Sequence, residues 1–245
     1  MRLPFSRPRP VHDTVVTAVT PLTSAMVRIT LTGPTLPALA FEQPTQWAKL
    51  TVADPAGAPV SRAYTVRHHR PGPGEADFDV VLHGRGPFAR WAAAARPGEP
   101  VRIAGPRGRL RTPEGAGHLL LVADESAQPA ALALLAALPR GFPVLALLET
   151  GLPQDTLPCR TAADAAVHWL PRAGTGHRKG ELLLESVRDA ALPPGRGAAW
   201  VAGEAGAVTG IRRHLLGERG FEREGVRAKG YWKAGEADHR GGAEQ

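Results

Sequence analysis

Two hydrophobic rhythms divide the chain. Up to about residue 104, apolar and polar positions alternate over short stretches: Val11–Ala18, Met26–Thr32, Lys49–Val52, Ser61–Arg67, Phe78–Leu82 and Pro100–Ala104. These stretches are rich in Val, Ile, Thr or Tyr, and turns such as TGP at 32–34, ADPAG at 53–57 and RPGPGE at 70–75 separate them. Six short strands with turn signals between them predict a small antiparallel barrel. One stretch breaks the alternation: GPFARWAAAA at 86–95 reads as a helix, with Pro87 suited to its first turn and Pro97 and Gly98 to stop it.

From residue 118 the rhythm changes. HLLLVA at 118–123 and FPVLALLET at 142–150 are continuous apolar runs of the kind buried on both faces of a sheet. AVHWLP at 166–171 and AAWVAG at 198–203 add two more strands, and VRAKGYW at 226–232 ends the set. Helices are predicted at 129–138, 181–190 and 207–220, the last capped by Gly220. Strands alternating with helices indicate a parallel α/β layer. The fold class expected is therefore two-domain, an N-terminal antiparallel six-stranded barrel over 1–112 and a C-terminal parallel α/β domain over 117–235. A polar tail, 236–245, is expected to fray. A barrel followed by an α/β layer is a plan in which a small ligand can sit in a crevice between domains.

Composition narrows the classes. The chain has 245 residues, 43% apolar, with 28 glycines and 24 prolines. The start, MRLPFSRPRP, lacks the apolar stretch of a secretory signal, and no run approaches the length that spans a bilayer. The expectation is a soluble, cytoplasmic protein without membrane insertion. The single cysteine, Cys159, excludes an intrachain disulfide framework. The net charge of +7 favours an anionic partner. Only Lys49, Lys179, Lys229 and Lys233 are lysines, and the arginines are scattered among Ala, Gly and Pro, with few aromatics. Nucleic-acid binding, which needs basic and aromatic residues together, is not expected. His68 and His69 are neighbours on a strand and face opposite ways, so they form no chelating pair, and no permanent metal site is expected. Ser126 in DESAQ lacks the G-x-S-x-G elbow of a hydrolase. Trp47, Trp91, Trp169 and Trp200 are expected to pack in the core or at a cofactor edge.

The most informative stretch is SRAYTVR at 61–67. As a strand it sends Arg62, Tyr64 and Val66 to one face and Ala63, Thr65 and Arg67 to the other. An arginine, a tyrosine face and a hydroxyl can pair a phosphate, stack a ring and contact a heteroaromatic. The same residues also suit an ordinary strand with a solvated arginine and a packed tyrosine.

In order along the chain stand SRAYTVR, HGRGPFARWA at 83–92, GPRG at 105–108, LLVADESAQPA at 120–130, WVAGE at 200–204, the RRHLLGERG helix and GYWKAGEAD at 230–238. This series resembles the siderophore-interacting protein family, the FAD-dependent ferric-siderophore reductases of the ferredoxin-reductase-like superfamily, over nearly the whole chain. The resemblance maps Arg62, Tyr64, Thr65 and Arg67 to the flavin strand, with Tyr64 stacked on the isoalloxazine and Arg62 on phosphate. His83, Gly84, Gly86 and Pro87 map to the pyrophosphate segment. There Gly84 and Gly86 let backbone approach a ligand, and a helix start at Pro87 favours an anion, which suits FAD over FMN. Asp124, Glu125, Ser126 and Ala127 map to the segment near the adenine and the pyridine nucleotide, and Trp232 is placed near the flavin. Gln128 stands where the family usually has an apolar residue, and the Gly-rich G-x-G-x-x-P loop of ordinary ferredoxin reductases is absent from the sequence. The family's basic substrate triad is matched by Lys49, Arg107 and Lys233.

The function implied is transfer of electrons from NAD(P)H or reduced ferredoxin through FAD to an anionic ferric siderophore, with ferrous iron released in the cytoplasm. The flavin carries the chemistry, so no catalytic side chain is expected. Two alternatives remain open at this point: a general NAD(P)H:flavin reductase, and a siderophore-binding protein without a flavin.

Overall fold

The computed structural model describes residues 10–54, 56–82, 86–108 and 115–236, in two compact units. The first is built from β1 (Val11–Thr23), β2 (Met26–Thr32), β3 (Trp47–Ala53), β4 (Pro59–Thr65), β5 (His68–Arg70), β6 (Glu75–Val81), α1 (Pro87–Ala94) and β7 (Pro100–Arg107). The strands form one sheet in the order β4-β3-β7-β1-β2-β6-β5. Its two end strands, β4 and β5, are consecutive in the chain and separated only by Val66 and Arg67. A sheet whose ends are joined by two residues has to curl until they meet, which makes it a barrel.

Alternation sets the interior. In β3, Ala48, Leu50 and Val52 are buried and pack with Ile29, Leu31, Phe78, Val80 and Ile103, while Lys49 points outward. Gly105 of β7 lies so close to β3 that an added Cβ would sit 3.0 Å from the Ala48 Cβ, tighter than ordinary contact. The outer face of β2 and β6 carries charge instead. Arg28 stands opposite Asp79 and grips it with two bonds of 2.7 and 2.9 Å. Thr30 stands opposite Asp77, which also accepts from Arg70 at 2.7 and 2.8 Å. Burial works to raise the Asp77 pKa, but hydrogen bonds from Arg70, His68 and Thr30 outweigh it and hold the carboxyl well below its ordinary range.

The barrel has seven strands where the sequence pattern predicts six. The predicted strand Ser61–Arg67 ends at Thr65, because Arg67 turns its N–H to the Asp77 carbonyl of β6. That switch of partner starts β5, too short and polar to carry a hydrophobic rhythm.

The second unit comprises β8 (His118–Ala123), α2 (Gln128–Ala137), β9 (Pro143–Thr150), β10 (Asp164–Pro171), α3 (Glu181–Asp189), β11 (Gly197–Glu204), α4 (Ala205–Gly217) and β12 (Val226–Trp232). The strands are parallel in the order β10-β9-β8-β11-β12. Every residue of β8 is buried, as its continuous apolar run requires of a central strand. Gly220, at φ +70°, lets the Phe221 N–H reach back to the Leu215 carbonyl and close the end of α4. No helix among the described residues is long and apolar enough to cross a membrane. His83 and Gly84, residues 109–114 at the junction of the two expected domains and the tail from 237 lie outside the described residues.

Candidate functional site

In the first unit, β4 presents Arg62 and Tyr64 on one side and Thr65 on the other. The Tyr64 ring lies 4.9 Å from the Phe88 ring of α1, tilted by 36°, and Phe88 packs edge-on against Trp91 at 5.2 Å. Trp91 is pinned in turn by its indole N–H to Glu99 Oε2 at 2.8 Å. This aromatic stack seats the R-x-Y-T strand beside the start of α1. There Gly86 is the N-cap, with extended backbone and no side-chain cap, and Pro87 opens the helix. First-turn N–H groups have no acceptor inside a helix, so an uncapped start suits an anion. Burial pushes the Tyr64 phenol above its ordinary range, so the ring acts as a neutral, largely apolar surface. A tyrosine face, a strand arginine and an uncapped helix start form a donor set that fits a flavin bearing a pyrophosphate.

Register places Lys49 opposite Ala63 and Trp47 opposite Thr65, on the face of β3 and β4 away from Arg62 and Tyr64. Arg107 of β7 pairs with Trp47 and lays its guanidinium over the indole at 5.2 Å. Lys49 and Arg107 therefore share a face, with Trp47 as the platform for the latter. The sequence pointed to Trp47 as packing in the core or at a cofactor edge, and did not foresee its ring beneath Arg107. Arg67 is drawn toward the barrel's ion pairs, its Nε 4.0 Å from Asp79 Oδ2.

In the second unit the carboxyl ends of the parallel strands gather polar groups. Asp124, which is 1% exposed, accepts from the Ser126 N–H at 2.9 Å and hydroxyl at 2.6 Å, and from the Trp232 indole at 2.8 Å. Gly203, at φ +150°, passes so close that an added Cβ would sit 2.7 Å from the Asp124 carboxyl. Ala127 is the N-cap of α2. Gln128 is buried and donates its amide to the Glu149 carbonyl at 2.7 Å. Trp232 also carries the Lys179 ammonium over its ring at 5.6 Å. Lys233 is half exposed and paired with Glu236.

Beside this segment lies a cluster that the motifs did not single out. Arg172, just past β10, spans Glu125 at 2.7 Å and Glu149 at 3.2 Å. Glu149, fully buried at the end of β9, also accepts the Gly180 N–H on both oxygens, at 3.0 and 3.1 Å. Burial pushes the Glu149 pKa up to about 7, against the pull of the Gly180 N–H and Arg172. The signal available in the sequence was the acid closing the otherwise apolar run PVLALLET.

Family models match both halves: siderophore-interacting protein over residues 116–235, and siderophore-interacting FAD-binding domain over residues 53–110. The chain belongs to the siderophore-interacting protein family. It is 31% identical over 232 residues to a mycobactin import ATP-binding/permease protein of Mycolicibacterium smegmatis, covering 92% of this chain but only 26% of that much longer relative. It is 32% identical over 184 residues to a ferric vibriobactin reductase of Vibrio cholerae, covering 74% of this chain and 67% of the relative. The crystal structure of a siderophore utilization protein from T. fusca superposes with a TM-score of 0.88 at 32% identity, over 95% of this chain and 96% of that one. Family membership agrees with an antiparallel first sheet and a parallel five-stranded second one.

Proposed function

We propose that the protein is an FAD-dependent reductase of ferric siderophores, drawing electrons from a reduced pyridine nucleotide or a ferredoxin. The observation that carries this reading is the packing of Tyr64 on Phe88, which puts the R-x-Y-T strand against the uncapped start of α1 within a segment matched by the FAD-binding model. When bound, FAD converts two-electron donation into single-electron delivery to ferric iron. In this reading the first unit holds the cofactor and the second receives the electron donor.

The chain's own residues bind and orient. Tyr64 offers its ring to the isoalloxazine and Arg62 its guanidinium to phosphate, while the first turn of α1 holds the pyrophosphate. Thr65 brings a hydroxyl to the flavin edge. Lys49 and Arg107, on one face of the first unit, supply positive charge that attracts and orients an anionic ferric complex, while Lys233 of the second unit is held by Glu236. The iron is substrate, released as Fe²⁺ once its hard-oxygen ligation weakens.

The test is an absorption spectrum of the purified protein, with the heat-released cofactor identified by chromatography, followed by mixing of the chemically reduced protein with a ferric triscatecholate. A two-band flavin spectrum, FAD in the supernatant and formation of Fe²⁺ are expected. A colourless protein that takes up no added FAD would overturn the reading. Rapid, saturable turnover of free riboflavin with no direct iron reduction would replace it with a general flavin reductase.

A further inference from the structure

The loop after β10, RAGTGHRKG at 172–180, carries Arg172, His177, Arg178 and Lys179 within eight positions. Read as sequence, it looks made for a phosphate. The folded loop matches each of these groups with a carboxylate. Arg172 lies between Glu125 and Glu149 at 2.7 and 3.2 Å. His177 meets Glu185 at 2.8 Å, and Arg178 meets Glu181 at 2.6 Å. Lys179 sits 3.8 Å from Glu125 and over the Trp232 ring.

A second observation points the same way. The Glu125 side chain is only 10% exposed, and one oxygen is taken by Arg172. Its other oxygen, Oε2, has no hydrogen-bond partner, and neither has the Thr150 hydroxyl at the fully buried end of β9. A buried carboxylate oxygen left without a donor favours a hydroxyl and repels a phosphate. In open parallel sheets nucleotides bind outside the carboxyl ends of the strands, where the order reverses. Here that place is the end of β8, flanked by β9 and β11, and Glu125 stands two residues beyond it.

We propose that this end of the sheet takes a dinucleotide whose adenosine ribose keeps its free hydroxyls, NADH rather than NADPH, and that Glu125, Glu181 and Glu185 set the preference by neutralising the loop's cations. The proposal rests on the nucleotide-donor part of the function given above. Glu125 contributes twice, as the acceptor for a ribose hydroxyl and as the counter-charge of Arg172 and Lys179. Glu181 and Glu185 hold Arg178 and His177 away from a 2′-phosphate.

Titration of the FAD-loaded protein with NAD⁺ and NADP⁺ by calorimetry, beside anaerobic flavin bleaching by NADH and NADPH, tests it. The wild type should favour the unphosphorylated nucleotide by at least about tenfold. Glu181→Gln/Glu185→Gln, made at exposed positions, should narrow that ratio several-fold, and Glu125→Gln should narrow it further while weakening NAD⁺ binding. Equal or tighter binding of NADP⁺ by the wild type, or a ratio unmoved in the surface double variant, would overturn the proposal. A protein that holds FAD and reduces iron after chemical reduction, yet binds neither nucleotide, would also overturn it while leaving the flavin reading intact. Failure of the flavin reading shows separately, as a colourless protein, and the calorimetric ratio can still be read on it.

Discussion

The indole N–H of Trp232 donates to Asp124 Oδ2 at 2.8 Å, tying together segments 108 positions apart in the chain. The bond joins the end of the edge strand β12 to the loop that leaves the central strand β8. Asp124 then has both oxygens occupied, since Ser126 takes Oδ1. Trp232→Phe keeps the ring and deletes the donor, leaving a buried acceptor without its partner. We expect a loss of about 1–3 kcal/mol in unfolding free energy, read by urea denaturation. An unchanged midpoint would mean that Asp124 finds another donor.

Tyr64 provides a sharper probe of the proposed cofactor. Tyr64→Phe keeps the contact with Phe88 and should retain FAD through gel filtration. Tyr64→Leu removes the aromatic face, worth roughly 1 kcal/mol beyond its area, and should weaken FAD retention several-fold. Flavin fluorescence in the ultrafiltrate measures it, and equal retention by both variants would remove Tyr64 from the site.

Glu149 makes stability depend on pH in an unusual direction. Its folded pKa of about 7 stands above the ordinary 4.5, so between those values the folded state holds more protons than the unfolded one. The contribution of this group is therefore largest below pH 4.5 and declines as pH rises through 7. Glu149→Gln should flatten the wild type's loss of stability between pH 5 and 7, measured as thermal midpoints across that range. A difference between the two proteins that does not change with pH would contradict it.

Asp77 acts in the opposite sense. Its carboxyl is depressed, so its stabilising share is complete above the ordinary carboxylate pKa and is lost as pH falls below it. Asp77→Asn should lower stability at pH 7 and make unfolding below pH 4 less steep with pH. Denaturant midpoints at pH 3 and pH 7 give the comparison.

For the substrate face, Lys49→Ala/Arg107→Ala should raise KM for an anionic ferric triscatecholate at low salt and flatten its dependence on ionic strength. The kcat with a neutral ferric hydroxamate serves as the control. A KM for the anionic complex that matches wild type at low salt would rule out a basic substrate face.

What could be read in the chain follows from the range of the interactions. The strands of both units are written locally: Ala48, Leu50 and Val52 alternate with Lys49 and Thr51, and HLLLVA is apolar throughout. The strand carrying R-x-Y-T was equally legible as a strand, because its alternation lies within neighbouring residues. The strand His68–Arg70 was not, since three polar residues have no period and owe their strand form to β6. Nor was the Glu125–Arg172–Glu149 cluster. Arg172 lies 47 positions from Glu125 and 23 from Glu149, and Gly180 lies 31 from Glu149, so only folding shows that the loop's cations are matched. Gln128 illustrates the same limit: a polar residue in an apolar pattern is explained by a carbonyl on another strand.

The order of strands in the first unit's sheet also bears on colloidal behaviour. The strand at one end of that sheet, β5, is only three residues long and consists of His68, His69 and Arg70, so it presents a short, polar edge to a strand from another molecule. The second sheet is open and ends at β10 and β12. Along β12 Arg227 and Lys229 place like charges on an edge strand, which opposes its pairing with another chain.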